Sequence, residues 1–360
     1  MRAAGARRLG VIALAVVAVG GCAPQDETSL PRPTPAGSPL PAADATITAP
    51  SVVPEVSAEI PTGPIVTPDS IAFAAGTGEL YAPTDDGIVV IDVGSRQVVD
   101  RIAIEGGPGT ILVDDGLVYV AEDGRGVGAV TVLYAATHEI LGRIELRGTA
   151  HAGRMALDPS TSRLFVASGD PGVAVVDTGT REFLGLIPVG PHPRGVAVDP
   201  DLGVLFVSDG EGVTAIDTTS LEILDRFAIG SYRPLTGHGK LAVDEGGGML
   251  LALNEGWGTV TVVDTATRKV LRVLRCGDRA PGGPFDIAVD PSARRAYVTG
   301  CRRWSVGVLD LATLTVVQLL RPADATPEGF QTLGIAVAVD PATGSVFLSS
   351  DGEVRIVEGG

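Results

Sequence analysis

The fold is decided by residues 195–229, which read GVAVDPDLGVLFVSDGEGVTAIDTTSLEILDRFAI. Four short segments stand out in it: Gly195 to Asp199, Val204 to Asp209, Gly212 to Asp217 and Glu222 to Ile229. Segments of this length, rich in Val and Ile and bounded by Gly, Pro and Asp, are typical of β-strands joined by turns. The stretch therefore predicts a unit of four antiparallel strands.

The same unit recurs along the chain. One aspartate series closes the first strand of successive units, at Asp158, Asp199, Asp244, Asp290 and Asp340, with spacings of 41 to 50 residues. A second series closes the third strand, at Asp92, Asp177, Asp217, Asp264 and Asp310, with Tyr134 and Glu358 at the corresponding positions of the other two units. Four-stranded units at this spacing are typical of β-propeller blades.

Counting the units predicts seven blades over residues 54–360, an all-β fold. The seventh set of strands ends near Gly360 without a fourth strand. The segment from Val56 to Thr62 parallels the fourth strand of blade three, which runs from Phe183 to Gly190. We expect that N-terminal segment to complete the last blade, because joining the two ends of the propeller leaves no long open sheet edge.

The repeats resemble the YVTN-type family of bacterial β-propellers, whose repeat carries Tyr-Val-Thr-Asn, Val-Ile-Asp-Thr and Ile-Pro-Val-Gly strands. The matching residues in this chain are Tyr297–Thr299, Val263–Thr265, Val176–Thr178 and Ile187–Gly190, and the resemblance covers nearly all of 54–360. The family asparagine is mostly absent, since Asn254 is the single asparagine of the chain. The resemblance implies an exported seven-bladed propeller; related propellers include lactonases and quinoprotein subunits.

The N-terminus predicts export. Basic residues precede an apolar run from Leu9 to Val19, which is too short to span a bilayer and is typical of a signal peptide covering residues 1–21. The closing Val-Gly-Gly-Cys resembles a bacterial lipobox, so we expect Cys22 to carry the lipid that anchors the chain to the cell membrane. Cleavage of an ordinary secretory signal is the alternative.

Residues 22–53 are rich in Pro, Ala, Thr and Ser and predict a tether that holds the propeller on the extracytoplasmic side. The formal charge is −16, and removal of residues 1–21 takes away three arginines and no acid, which makes it −19. A surface this acidic repels phosphate backbones, so nucleic acid is excluded as a partner. We expect a monomer.

A candidate binding rim lies where long loops would meet. The connections that lead into blades five, six and seven are longer than those into blades two, three and four, and both tryptophans lie at the same end of that sector. Trp and Arg are enriched where binding energy concentrates. The candidate rim residues are Tyr232, Arg233, Trp257, Arg279, Phe285, Arg302, Arg303, Trp304 and Phe330. The plainer interpretation is that both tryptophans pack between blades.

Two further sets of side chains have predicted roles. His151, His192 and His238 stand at equivalent positions in the leading connections of three consecutive blades, a pattern that could hold zinc or copper at the channel mouth. With Cys22 lipidated, Cys276 and Cys301 remain as an even pair in an oxidising compartment, on adjacent blades. We therefore predict a disulfide between them.

No nucleophile elbow, zinc-protease helix, Cys-x-x-Cys or Walker motif occurs in the chain. The favoured hypothesis is thus an anchored propeller that binds a protein, glycan or small ligand, with no cofactor and no catalysis. The alternative is a lactonase-like or metal-dependent hydrolase that uses the three histidines. A structural stalk without a specific ligand is the third hypothesis.

Overall fold

A computed structural model of the chain describes residues 49–52, 55–63, 65, 70–122, 126–169, 172–190, 192–209, 212–229, 239–254, 258–276, 286–301, 305–320, 336–350 and 352–358. Its strands form seven small sheets. The first strands of consecutive sheets contact one another, and the last contacts the first. The predicted all-β, seven-bladed propeller is confirmed. None of the described residues forms a helix long and apolar enough to be a membrane span.

Each blade has four strands, which run in order from the first strand to the fourth. Blades one and two are Ala72–Ala74, Glu79–Thr84, Gly87–Asp92, Gln97–Ala103 and Pro108–Asp114, Leu117–Glu122, Ala129–Tyr134, Ile140–Glu145. Blades three and four are Met155–Asp158, Arg163–Ala167, Val173–Asp177, Glu182–Ile187 and Gly195–Asp199, Val204–Ser208, Val213–Asp217, Ile223–Phe227. Blades five and six are Leu241–Asp244, Met249–Asn254, Thr259–Asp264, Val270–Arg275 and Ile287–Asp290, Arg295–Thr299, Val306–Asp310, Thr315–Leu320. Blade seven is Val337–Val339, Val346–Ser350, Glu353–Val357 and, from the other end of the chain, Val56–Pro61.

The ring closes as the sequence predicts. Val56–Pro61 pairs antiparallel with Glu353–Val357 and becomes the outer strand of blade seven. Across the next junction, the Arg96 side chain of blade one donates from Nη1 to the Ser57 carbonyl oxygen at 2.6 Å. The N-terminal strand is therefore held both by its own sheet and by the neighbouring blade.

The apolar core lies between blades. Interior strands such as Val213–Asp217 are buried on both faces, because each blade stacks against two neighbours, whereas the outer strand Gln97–Ala103 alternates between exposed and partly buried residues. Among the described residues, seven apolar clusters fill the seven junctions. Each fully buried Val, Leu or Phe side chain contributes roughly 1.5 to 3 kcal/mol.

The aspartates that close the third strands have the turn-forming role that their spacing indicates. In five blades the carboxylate accepts a hydrogen bond from the backbone N–H of the Ser or Thr three residues later. The pairs are Asp92 with Ser95, Asp177 with Thr180, Asp217 with Ser220, Asp264 with Thr267 and Asp310 with Thr313, at 2.6 to 2.7 Å. These are Asx turns, and they fix the hairpin between third and fourth strands.

These turns predict a loss of stability in acid. Hydrogen bonds from Thr180 hold the pKa of Asp177 below its usual value, and the other four aspartates are lowered in the same way. A lowered folded-state pKa contributes stability that is present above the unfolded value of about 3.9 and is lost as the pH falls through the folded value. We expect Asp177→Asn to be less stable than the wild type at pH 7, and this difference to shrink below about pH 4.

Urea unfolding midpoints at the two pH values measure this difference. Asp244 serves as an internal contrast, because burial raises its pKa and its contribution has the opposite sign. A difference between wild type and Asp177→Asn that is the same at both pH values would contradict the assignment.

A strand that the sequence pattern does not predict lies on blade six. Ser51–Val52 pairs in parallel with Leu319 and Leu320 of the outer strand, and the Leu319 N–H donates to the Pro50 carbonyl oxygen at 3.0 Å. The outer strand of a blade carries unpaired backbone groups, which an extended segment can satisfy. Part of the segment that composition assigns to a tether thus belongs to the sheet of blade six.

Candidate functional site

The three longest connections between consecutive blades adjoin one another at one end of the propeller. They are residues 228–240, 276–286 and 321–336, which lead into blades five, six and seven. The loops from second to third strand open at the same end, as the Asn254↔Thr259 pairing shows for blade five. The strand ends therefore place this sector where the sequence predicts the binding rim.

The predicted rim side chains themselves lie outside the described residues. This holds for all nine: Tyr232, Arg233, Trp257, Arg279, Phe285, Arg302, Arg303, Trp304 and Phe330. Their grouping on one rim stays a prediction. The described residues beneath them, in contrast, have a definite arrangement.

A buried carboxylate ties three blades together under this sector. Asp286 begins the first strand of blade six and is 1 % exposed. Its Oδ1 accepts from the Lys240 ammonium of blade five and from the Ile287 N–H at 2.7 Å. Its Oδ2 accepts from the Val337 N–H of blade seven at 2.8 Å. We call Lys240, Asp286, Ile287, Val337 and Thr299 the Asp286 network.

Thr299 completes the network from the second strand of blade six. Its hydroxyl accepts from the Asp286 N–H at 3.0 Å, and its own N–H donates to the Asp286 carbonyl oxygen at 3.0 Å. A buried charge needs such compensation, since an unpaired carboxylate in the interior is strongly unfavourable. The network thus holds the starts of three first strands at fixed spacing.

The predicted cysteine pair is confirmed at disulfide geometry. The Cα atoms of Cys276 and Cys301 lie 4.5 Å apart, and both side chains are fully buried in the cluster between blades five and six. Cys276 follows the fourth strand of blade five, and Cys301 follows the second strand of blade six. The bond therefore joins the bases of two connections that carry candidate rim residues.

The histidine proposal receives no support from the described residues. His151 and His192 are exposed, and His238 lies outside the described part of the chain. His151 lies against Gly169 of its own blade, where a Cβ atom would come within 2.8 Å of the imidazole. Within the described ranges, no three His, Cys, Asp or Glu side chains are placed to hold a metal ion.

The fourth histidine, to which the sequence pattern assigns no role, joins two blades at the opposite end. His138 Nδ1 lies 2.8 Å from Asp100 Oδ2, and Nε2 lies 3.3 Å from the Glu79 carboxylate. Tyr81 donates to Glu79 at 2.9 Å; burial, then Glu79, raises the pKa of the tyrosine hydroxyl. The left-handed backbone of His138, at φ 59°, belongs to the hairpin of blade two. This cluster is a junction between blades one and two, remote from the long connections.

Comparison with known proteins adds no name to this geometry. No protein-family model matches the chain, and no curated protein matches it. The functional argument therefore rests on the propeller itself, on the Asp286 network and on the cysteine pair. The signal that could have found the network is the position four residues before the landmark aspartates, where Lys240 and Asp286 of adjacent blades carry opposite charges.

Proposed function

We propose that this chain is a lipid-anchored, extracytoplasmic propeller of the YVTN type, and that it binds a protein, glycan or small ligand through the long connections of blades five to seven without catalysing a reaction. The observation that supports it best is the coincidence of three features in one sector. The longest inter-blade connections, the Asp286 network and the cysteine pair all belong to these blades.

The rigid base gives the proposal its physical reason. Loops raised on a fixed scaffold are the usual carriers of binding residues. Fixing their bases lowers the entropy lost on binding, because fewer conformations remain to be ordered. The candidate rim is rich in Trp and Arg, which supply large contact area and directed hydrogen bonds.

Anchoring predicts a large change in distribution for one substitution. In cells, we expect Cys22→Ala to leave the chain without its acyl chains and to move most of it from the membrane fraction to the soluble extracytoplasmic fraction, since two acyl chains provide stable attachment and none provides no attachment. Fractionation and immunoblotting measure this. Cys301→Ala, which leaves Cys22 intact, is the control and should stay with the membrane. Equal membrane retention of Cys22→Ala and wild type would contradict the anchor.

The rim is tested through the two tryptophans, the only ones in the chain. In the single-tryptophan variants Trp257→Phe and Trp304→Phe, we expect red-shifted emission that iodide quenches readily, because a binding rim exposes these rings to water. Blue-shifted emission protected from iodide in both variants would assign them to packing between blades and would contradict the rim.

Binding itself is tested by photo-crosslinking in cells. A photoreactive residue at position 304 should capture a discrete partner, whereas the same residue at position 202 should capture none. Leu202 is a matched control because it is 45 % exposed in a turn at the opposite end of blade four. Identical capture at both positions, or none at position 304, would contradict a partner-binding rim.

A further inference from the structure

Three arginines occupy the same position in the fourth strands of blades one, two and four. Arg101 pairs with Val89, Arg143 with Thr131 and Arg226 with Thr214. Each partner stands three residues before the end of its third strand. The comparison among these blades shows what each arginine is built to meet.

In blades two and four the arginine meets a buried carboxylate of its own blade. Arg143 Nε lies 2.8 Å from Glu122 Oε2, and Arg226 Nη1 lies 3.9 Å from Asp209 Oδ2. Glu122 and Asp209 are buried and hold equivalent positions at the end of the second strand. In both blades the threonine opposite the arginine also donates its hydroxyl to that carboxylate.

Blade one has the arginine but not the carboxylate. Thr84 stands at the position of Glu122 and Asp209, and its hydroxyl donates to the Gly87 carbonyl oxygen at 3.1 Å. Among the described residues, the Arg101 guanidinium makes one hydrogen bond, from Nη1 to the Thr62 carbonyl oxygen of blade seven at 3.0 Å. Its remaining donors are available to a ligand.

The space that the carboxylate would fill is open. Gly63 and Gly190 are equivalent, since each ends the stretch that follows a fourth strand. A Cβ atom on Gly190 would overlap the Asp209 carboxylate, whereas one on Gly63 would meet no atom within 4 Å. A cavity of about 230 Å³ lies at this point, between blades seven and one, and Arg101 contributes to its wall.

We propose that this cavity is a binding site for a small carboxylate, whose oxygens take the place beside Arg101 that Glu122 and Asp209 fill in the other blades. Arg and carboxylate form paired, charge-assisted hydrogen bonds. Asp85 and Asp86 also line the cavity, and their charge favours a ligand with an ammonium group. A zwitterion of the α-amino acid class satisfies both, and the cavity has the volume of roughly eight water molecules at about 30 Å³ each.

This site is separate from the proposed rim, because its walls come from blades seven and one at their junction. Its ligand chemistry follows from the arginine and the two aspartates. Failure of the rim experiments would leave it unaffected.

Saturation-transfer NMR on the full chain in detergent tests the proposal, with L-alanine, acetate and methylammonium as probes. We expect saturable binding of L-alanine in the millimolar range, weaker binding of acetate, and at least about tenfold weaker L-alanine binding in Arg101→Gln. Thr84→Glu should abolish binding while the chain stays folded, because it supplies the carboxylate that Glu122 supplies in blade two. Asp85→Asn with Asp86→Asn should remove the preference for L-alanine over acetate.

Arg96→Gln is the matched control, since Arg96 joins the same two blades through Ser57 and does not line the cavity. It should bind L-alanine as the wild type does. Undiminished binding in Arg101→Gln, or no saturable binding of any carboxylate probe to the wild type, would overturn the site.

Discussion

Reduction of the Cys276–Cys301 bond should lower the free energy of unfolding by about 3 kcal/mol. The bond closes a loop with a sequence separation of 25, and cross-linking the unfolded chain over that length removes conformational entropy that the folded chain has already lost. Urea unfolding of the oxidised and the reduced wild type measures the difference on one sequence.

The double variant Cys276→Ala with Cys301→Ala controls for effects of the reductant. It should unfold near the reduced wild type, with a further loss from the two buried sulfur atoms, and reductant should not change its midpoint. Equal midpoints of oxidised and reduced wild type would show that the cysteines form no bond in solution. Because both cysteines lie at the bases of candidate rim connections, reduction should also weaken partner capture from position 304.

The architecture was predictable because each blade is a local structure. Strand, turn and strand follow one another within each repeat, so apolar segments and turn residues such as Asp217 mark the strands without knowledge of the whole. Closure by Val56–Pro61 was also predictable, because the last repeat lacks a fourth strand and an N-terminal segment has the matching pattern. The cysteine pair followed from the assignment of each residue to a blade end.

The contacts between blades were not predictable in the same way. Lys240 and Asp286 are far apart in sequence, and their pairing depends on how two blades are rotated against each other around the ring. Ser51–Val52 has only two residues, too few to show an alternating pattern. His138 gave no signal, because its partners Glu79 and Asp100 come from another blade.

The candidate rim falls between these cases. The repeat pattern indicates the blade and the end at which Trp257 and Trp304 lie, and the strand ends agree with that placement. Which way the side chains face depends on loops whose conformation no repeat pattern determines. The base beneath them, in contrast, is explicit in Asp286 and can be tested by mutation.

Asp286→Ala should lower the free energy of unfolding by about 3 kcal/mol. The substitution leaves the Lys240 ammonium without its carboxylate, and it leaves the N–H groups of Ile287 and Val337 without an acceptor in the interior. Buried donors that lose their acceptor bear the full cost of lost hydration. Urea unfolding of the wild type and the variant measures the loss.

Two further variants identify the cause. Asp286→Asn keeps an oxygen acceptor and should lose less stability than Asp286→Ala, while Lys240→Met combined with Asp286→Ala should recover part of the loss, because it removes the unpaired charge. Asp310→Ala is the matched control within blade six: its carboxylate serves only its own turn among the described contacts, so its loss should be smaller and independent of Lys240. If Asp286→Ala were no less stable than Asp310→Ala, the three blades would not depend on this carboxylate, and the rigid base proposed for the rim would be wrong.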